Sequence, residues 1–161
     1  MRTFLSTAMA ALAVLSGGAM ARGALAGALK VSQAWSLPVP FGAPTAVGYA
    51  TITNTGAAPD RLVGADTPDA IRVEIHQMSM QGAIMRMRPA TGGLVLPPGQ
   101  TVTLGPGGYH LMLIGPKRGF AVGDHIRAIL RFEYAGSVRV DFRVQLAPPR
   151  TDDAHAPVNM H

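Results

Sequence analysis

The chain has 161 residues, 48% of them hydrophobic and 14% charged, with a formal net charge of +5 from 14 basic and nine acidic side chains. The arginines at 72, 86, 88, 118, 127, 131, 139 and 143 stand singly, without a Lys/Arg run or an interleaved aromatic platform, so this charge is not a nucleic-acid footprint. Cysteine is absent, which excludes thiol chemistry, Cys-ligated zinc, iron–sulfur clusters and blue-copper electron transfer.

Residues 1–26 are expected to be a secretory signal peptide. Arg2 precedes an apolar run over 4–15 that is too short to span a bilayer, and small residues suited to cleavage surround Ala21 and Ala26. Cleavage after Ala26 removes Arg2 and Arg22 and leaves 12 basic against nine acidic side chains, +3 with the histidines neutral. Residues 27–146 are long enough for one domain with a sizeable core. The expected export would place the chain where disulfides are permitted, but the fold must hold without them.

Through the mature chain, apolar residues alternate with polar ones, and Gly and Pro interrupt the pattern every eight to twelve residues. The expected architecture is all-β, an antiparallel sandwich or barrel. Strands are expected near 29–35, 47–53, 60–65, 72–78, 83–88, 93–96, 101–104, 109–114, 125–133 and 137–145. The turn signals are "ITNTGAAPDRL", "LPPGQ", "GPGG" and "EYAG", with "QG" at 81–82 as a hairpin. Val138, Val140, Phe142 and Val144 alternate with Arg139, Asp141 and Arg143 as a half-buried strand. After Leu146 the alternation stops, and residues 147–161 are expected to form a flexible His- and Met-containing tail.

Four of the nine methionines fall between residues 78 and 87. In "IHQMSMQGAIMRMR", His76, Met78 and Met80 share one face of a strand, and Met85 shares a face with Met87 on the next. In "GGYHLMLIG", His110 and Met112 share a face, while Tyr109, Leu111 and Leu113 point the other way into the core. Methionine alone fills core gaps well, but a buried imidazole needs a partner, so a mixed His/Met group is a costly filling. It suits soft copper. Thioether sulfur favours Cu(I), imidazole suits copper in either oxidation state, and neither is lost to disulfide formation in an oxidising compartment. Asp66, Asp69 and Glu74 are too scattered for a Ca²⁺ or Mg²⁺ cage.

The spacing resembles the periplasmic copper A chaperone (PCuAC) family, whose pattern is H(M)-x10-M-x21-H-x-M. The ten-residue gap from His76 to Met87 matches, Met78 stands for the optional methionine, and "HLM" at 110–112 closes the pattern. The gap from Met87 to His110 holds 22 residues, one more than the pattern, around "TGG" or "LGPGG". "VEIHQMSMQGAIMRMRP", "LPPGQTVTLGPGGYHLMLIGPKR" and "DHIRAILRFEYAGSVRVDFRV" follow the family's order over 29–146.

The resemblance implies a cupredoxin-like fold and Cu(I) held by His76, Met87, His110 and Met112. It also implies copper delivery toward the copper A centre in subunit II of cytochrome c oxidase, alongside a Sco-type thiol protein, with no small-molecule substrate and no nucleic acid. Met78 is expected to be a secondary ligand or transfer contact, and Met80 and Met85 to serve packing or the rim. In the tail, Asp152, Asp153, His155, Met160 and His161 offer a second site for additional copper, Cu(II) included, as in family members with His- and Met-rich extensions. His125 reads as a surface histidine.

An oxidising copper enzyme is disfavoured, because thioethers bias a site toward Cu(I) and redox turnover needs both oxidation states. No Ser-His-Asp spacing, nucleotide-binding Gly loop or paired catalytic carboxylates support another enzyme. The remaining alternatives are copper storage or detoxification, and a structural β-sandwich whose Met cluster is only core.

Overall fold

The computed structural model describes residues 28–150; the expected signal peptide and most of the tail, including Asp152, Asp153, His155, Met160 and His161, lie outside the described residues. Ten strands and no helix make up the described chain. They are β1 (Leu29–Ser36), β2 (Thr45–Asn54), β3 (Asp60–Asp66), β4 (Ala70–Gln81), β5 (Ile84–Pro89), β6 (Leu94–Leu96), β7 (Thr101–Leu104), β8 (Tyr109–Pro116), β9 (His125–Phe132) and β10 (Gly136–Val144).

Hydrogen bonding links the strands in the order β5-β4-β8-β2-β1-β10-β9-β3-β6, with β7 pairing the C-terminal half of β2. The path is open at β5 and β6, so the sandwich rather than the closed barrel describes it. Every pairing is antiparallel except β1 with β10, where Trp35 lies opposite Arg143 and Ser36 opposite Val144. A sequence of alternating strands carries no information on that direction. A break in register between Ser32 and Trp35, with Gln33 at a φ of +50°, marks an irregularity in β1 just before it meets β10.

The core joins the inward face of β4, β8 and β2 (Ile75, Leu111, Leu113, Ala50, Ile52) to that of β3, β9 and β10 (Leu62, Ala65, Ile126, Leu130, Phe142, Val144) in one cluster. Each fully buried Leu, Ile or Phe contributes roughly 1.5–3 kcal/mol from removal of apolar surface from water. Gly48 on β2 sits so near Phe142 of β10 that a Cβ there would lie 3.3 Å from its ring, which shows how tightly the two halves meet.

The β9–β10 turn is held by a carboxylate. Asp60 is buried and accepts hydrogen bonds from the backbone N–H groups of Arg61, Tyr134 and Ala135 at 2.7–3.1 Å. Asp60→Ala leaves these donors without their acceptor, so thermal denaturation should show a loss of about 2–3 kcal/mol, the scale of a lost charge-assisted bond plus unsatisfied amides.

Candidate metal centre

Three strands build the site, and antiparallel register decides which side chains meet. On β4 and β8, His76 lies directly opposite His110, and Glu74 opposite Met112. On β4 and β5, Met78 lies opposite Met87 and Met80 opposite Met85. Directly paired residues share a face, so His76, Met78, Met80, Met85, Met87, His110 and Met112 lie along one side of the β5-β4-β8 ribbon. The turn that sets the β4–β5 register has two residues, Gly82 and Ala83, with Gly82 at a φ of +63°, as a type II′ hairpin requires.

Burial falls steadily along this face. His110 is 3% exposed and Met112 8%, whereas Met87 is 45%, Met85 60% and Met80 61% exposed. β8 is buried on both faces, since Leu111 and Leu113 fill the core while His110 and Met112 lie on the other side. β5 is exposed at all six positions. The register therefore brings His76 and His110 together, with Met112 next along β8 and Met87 diagonal to His76 on β5. Met78 stands beside His76 on β4 and across from Met87. The extra residue between Met87 and His110 leaves the pairing of His76 with His110 intact.

The two imidazole rings meet edge-on, centroids 5.8 Å apart. His110 Nδ1 lies 3.2 Å from the Gly108 carbonyl oxygen, which can only accept, so Nδ1 carries the proton and Nε2 bears the lone pair. That Nε2 is buried without a partner. His76 Nε2 donates to Glu74 Oε2 at 2.8 Å, which leaves its Nδ1 as the bare nitrogen, also buried and unpartnered. Two lone pairs are thus kept out of water in one place. Burial, more than the opposing Gly108 bond, pushes the His110 pKa below its ordinary value, and the neighbouring His76 adds to the shift; the ring stays neutral and able to bind a metal.

Glu74 was not among the candidate ligands, and it proves to be the positioning group. It accepts from His76 and also from Arg72 Nε at 2.7 Å. These bonds, His76 first and then Arg72, hold its carboxyl below the usual range. Its place two residues before His76, on the same strand face, was the available signal. Carboxylate–imidazole pairs of this kind fix tautomer and orientation, and their loss weakens metal affinity roughly 10–100-fold. Glu74→Leu is expected to lower Cu(I) affinity by about that factor, as read in a competition titration, with the fold unchanged.

Among the described residues no three His, Cys, Asp or Glu side chains gather as a metal cage, so a hard-ion centre has no basis there. His125 is exposed and bonds Asp141 at 2.8 Å on the far strands β9 and β10, apart from this ribbon.

Residues 29–144 match the family model described as LpqE-like. A relative described as a lipoprotein, Lxx21020 of Leifsonia xyli subsp. xyli, is 33% identical over 118 residues, covering 73% of this chain and 70% of that one. Among solved structures, the apo PCuAC domain from PmoF1 is 32% identical with a TM-score of 0.62, over 74% of this chain and 95% of that one. The copper-bound PCuAC domain from PmoF2 is 29% identical at the same TM-score, over 74% and 94%. With its whole described sandwich matched in sequence and in structure, the chain belongs to the LpqE-like family, the periplasmic copper A chaperone (PCuAC) family.

Proposed function

We propose that this protein is a copper chaperone that binds one Cu(I) through His76, Met87, His110 and Met112 and carries it, in the periplasm, to the copper A centre of cytochrome c oxidase. The observation that carries the reading is the pair of buried, partnerless imidazole nitrogens, His76 Nδ1 and His110 Nε2, on a face that they share with the thioethers of Met78, Met87 and Met112 and with the carboxylate of Glu74. A core histidine would satisfy both nitrogens. Here one nitrogen of each ring is anchored and the other is left bare, the state a metal ligand needs. A metal–imidazole bond is about 2 Å, so rings 5.8 Å apart leave room for a single ion between them.

Neutral imidazoles and thioethers add no charge to the ion, which favours Cu(I) over Zn²⁺ or Cu(II). The graded exposure suits a carrier: His110 and Met112 hold from the buried side, and Met87 on an exposed edge strand gives a partner's ligand its first point of exchange. The relationship to a copper-bound domain supports copper as the cargo. The relationship to a lipoprotein supports an envelope location, although the 161 residues contain no cysteine that could carry a thioether-linked lipid.

The test is an anaerobic Cu(I) titration against a chromophoric chelator. Wild type should bind one tight Cu(I) that a His110→Ala/Met112→Ala variant loses and that a chain ending at Gln145 keeps. Failure of all three proteins to compete for Cu(I) would return the Met cluster to a structural role. In cells, deletion should impair oxidase assembly when copper is scarce; impaired survival in excess copper, with normal oxidase, would mark storage or detoxification instead.

A further inference from the structure

The β4–β5 hairpin has two unlike faces. Gln77, Ser79, Gln81, Arg86 and Arg88, with Ile84 at its tip, make one mostly polar, whereas His76, Met78, Met80, Met85 and Met87, with Pro89 opposite His76, make the other one of thioether and imidazole. Met80 and Met85 fill no core gap, being 61% and 60% exposed, and Met78 is half-buried beside them. An apolar row beside an exposed edge strand is a hazard that proteins usually blunt with charge, and β5 does so with its arginines on the other face only. Met80 lies directly opposite Met85, and Met78 is the next residue along the same face of β4. Directly opposed Cβ atoms are about 4.5–5.5 Å apart and diagonal ones about 7–8 Å, within reach of three-torsion side chains.

The geometry points to a second soft-metal site: Met78, Met80 and Met85 form a three-thioether Cu(I) entry site toward the solvent end of the hairpin, over the first and second rungs beyond the imidazole pair. Three neutral sulfurs select Cu(I) and leave Zn²⁺ and Cu(II) unbound. Met78, beside His76 and opposite Met87, belongs to the last rung before the buried centre. An ion moves inward by exchange of a copper–thioether bond at Met80 or Met85 for a bond to Met87 or His76 Nδ1. Copper stays Cu(I), and no proton moves, because neither the thioether nor the bare imidazole nitrogen carries one. The entry role rests on the reading of His76 and His110 as a copper centre; the capacity of the three thioethers to bind Cu(I) does not.

The experiment is an anaerobic Cu(I) titration of the full chain labelled with ¹³C at the methionine methyls, for wild type, Met80→Leu/Met85→Leu and His76→Ala/His110→Ala. Leucine keeps volume and apolarity at two exposed positions, so folding is not at risk. Wild type should take a second, weaker equivalent that shifts the Met80 and Met85 methyl resonances. Met80→Leu/Met85→Leu should lose that equivalent, keep the tight one, and draw Cu(I) from a chelator complex more slowly. His76→Ala/His110→Ala should lose the tight equivalent and keep the hairpin shifts. If the Met80 and Met85 methyls stay unmoved in wild type, or Met80→Leu/Met85→Leu matches wild type in stoichiometry and uptake rate, the entry site is wrong. Loss of the hairpin shifts in His76→Ala/His110→Ala would also overturn it, since the thioethers would then bind only as an extension of the main centre. Hairpin shifts in a wild type that lacks the tight equivalent would support the entry site while removing the imidazole pair as a copper centre.

Discussion

His110→Leu should lose at least about a hundredfold in Cu(I) affinity: with His110 as the proposed direct ligand, its removal exceeds the roughly 10–100-fold cost of losing a ligand's support. The same substitution should leave the copper-free protein as stable as wild type or more so. His110 is 3% exposed with Nε2 unpartnered, and an unsatisfied buried polar group costs about 1–3 kcal/mol that leucine does not incur. The Gly108 carbonyl, which loses its bond to Nδ1, still accepts from the Met78 N–H at 3.1 Å. A histidine kept for packing would behave in the opposite way, with stability falling and copper affinity unaffected. Chemical denaturation of the copper-free proteins, beside the competition titration, reads both.

The pH dependence follows from the direction of the His110 shift. The unfolded chain takes up a proton on His110 near its ordinary pKa of 6.5, while the folded chain does so only at lower pH. Between those two values unfolding consumes a proton, so wild-type stability should fall as pH drops below about 6.5. His110→Leu should remove this part of the slope. An identical slope in both proteins would show that other groups carry the acid sensitivity.

Leu111→Ala should have the largest effect on stability and little on copper. Leu111 is 2% exposed, sits between His110 and Met112 in sequence, and points the opposite way, into the core shared by both halves of the sandwich. Truncation of a buried leucine costs about 2–5 kcal/mol from lost transfer energy and the cavity left behind. For a domain of this size each kcal/mol lowers the melting temperature by about 4 °C, so calorimetry should show a fall of roughly 10–20 °C. At a temperature where the variant remains folded, its Cu(I) affinity should match wild type. A large loss of affinity there would mean that the site is not held by its own face of the ribbon but by the packing beneath it.

The alternation of "YHLMLIG" and of "IHQMSM" was readable because side-chain direction in a strand has a period of two, a property of the local backbone that neighbouring chain cannot change. The same periodicity located all ten strands, with ends differing by a few residues. β4 shows the largest difference, since it runs to Gln81 rather than 78: the two-residue Gly82–Ala83 turn lets pairing with β5 continue to Ile84. The expected placement of Met80 and Met85 at packing or rim resolves to the rim, because the hairpin is exposed at its tip.

By itself, then, the sequence determined which residues share a face, that the chain is all-β, and that one face gathers imidazole and thioether with no thiol among them. Only the tertiary structure decided that His76 stands opposite His110, that β1 joins β10 in parallel, and that Glu74 and Gly108 anchor one nitrogen of each ring and leave the other bare. Register, strand direction and burial depend on which distant segments pair and on how the sheet folds over a common core, and a local period holds none of that information.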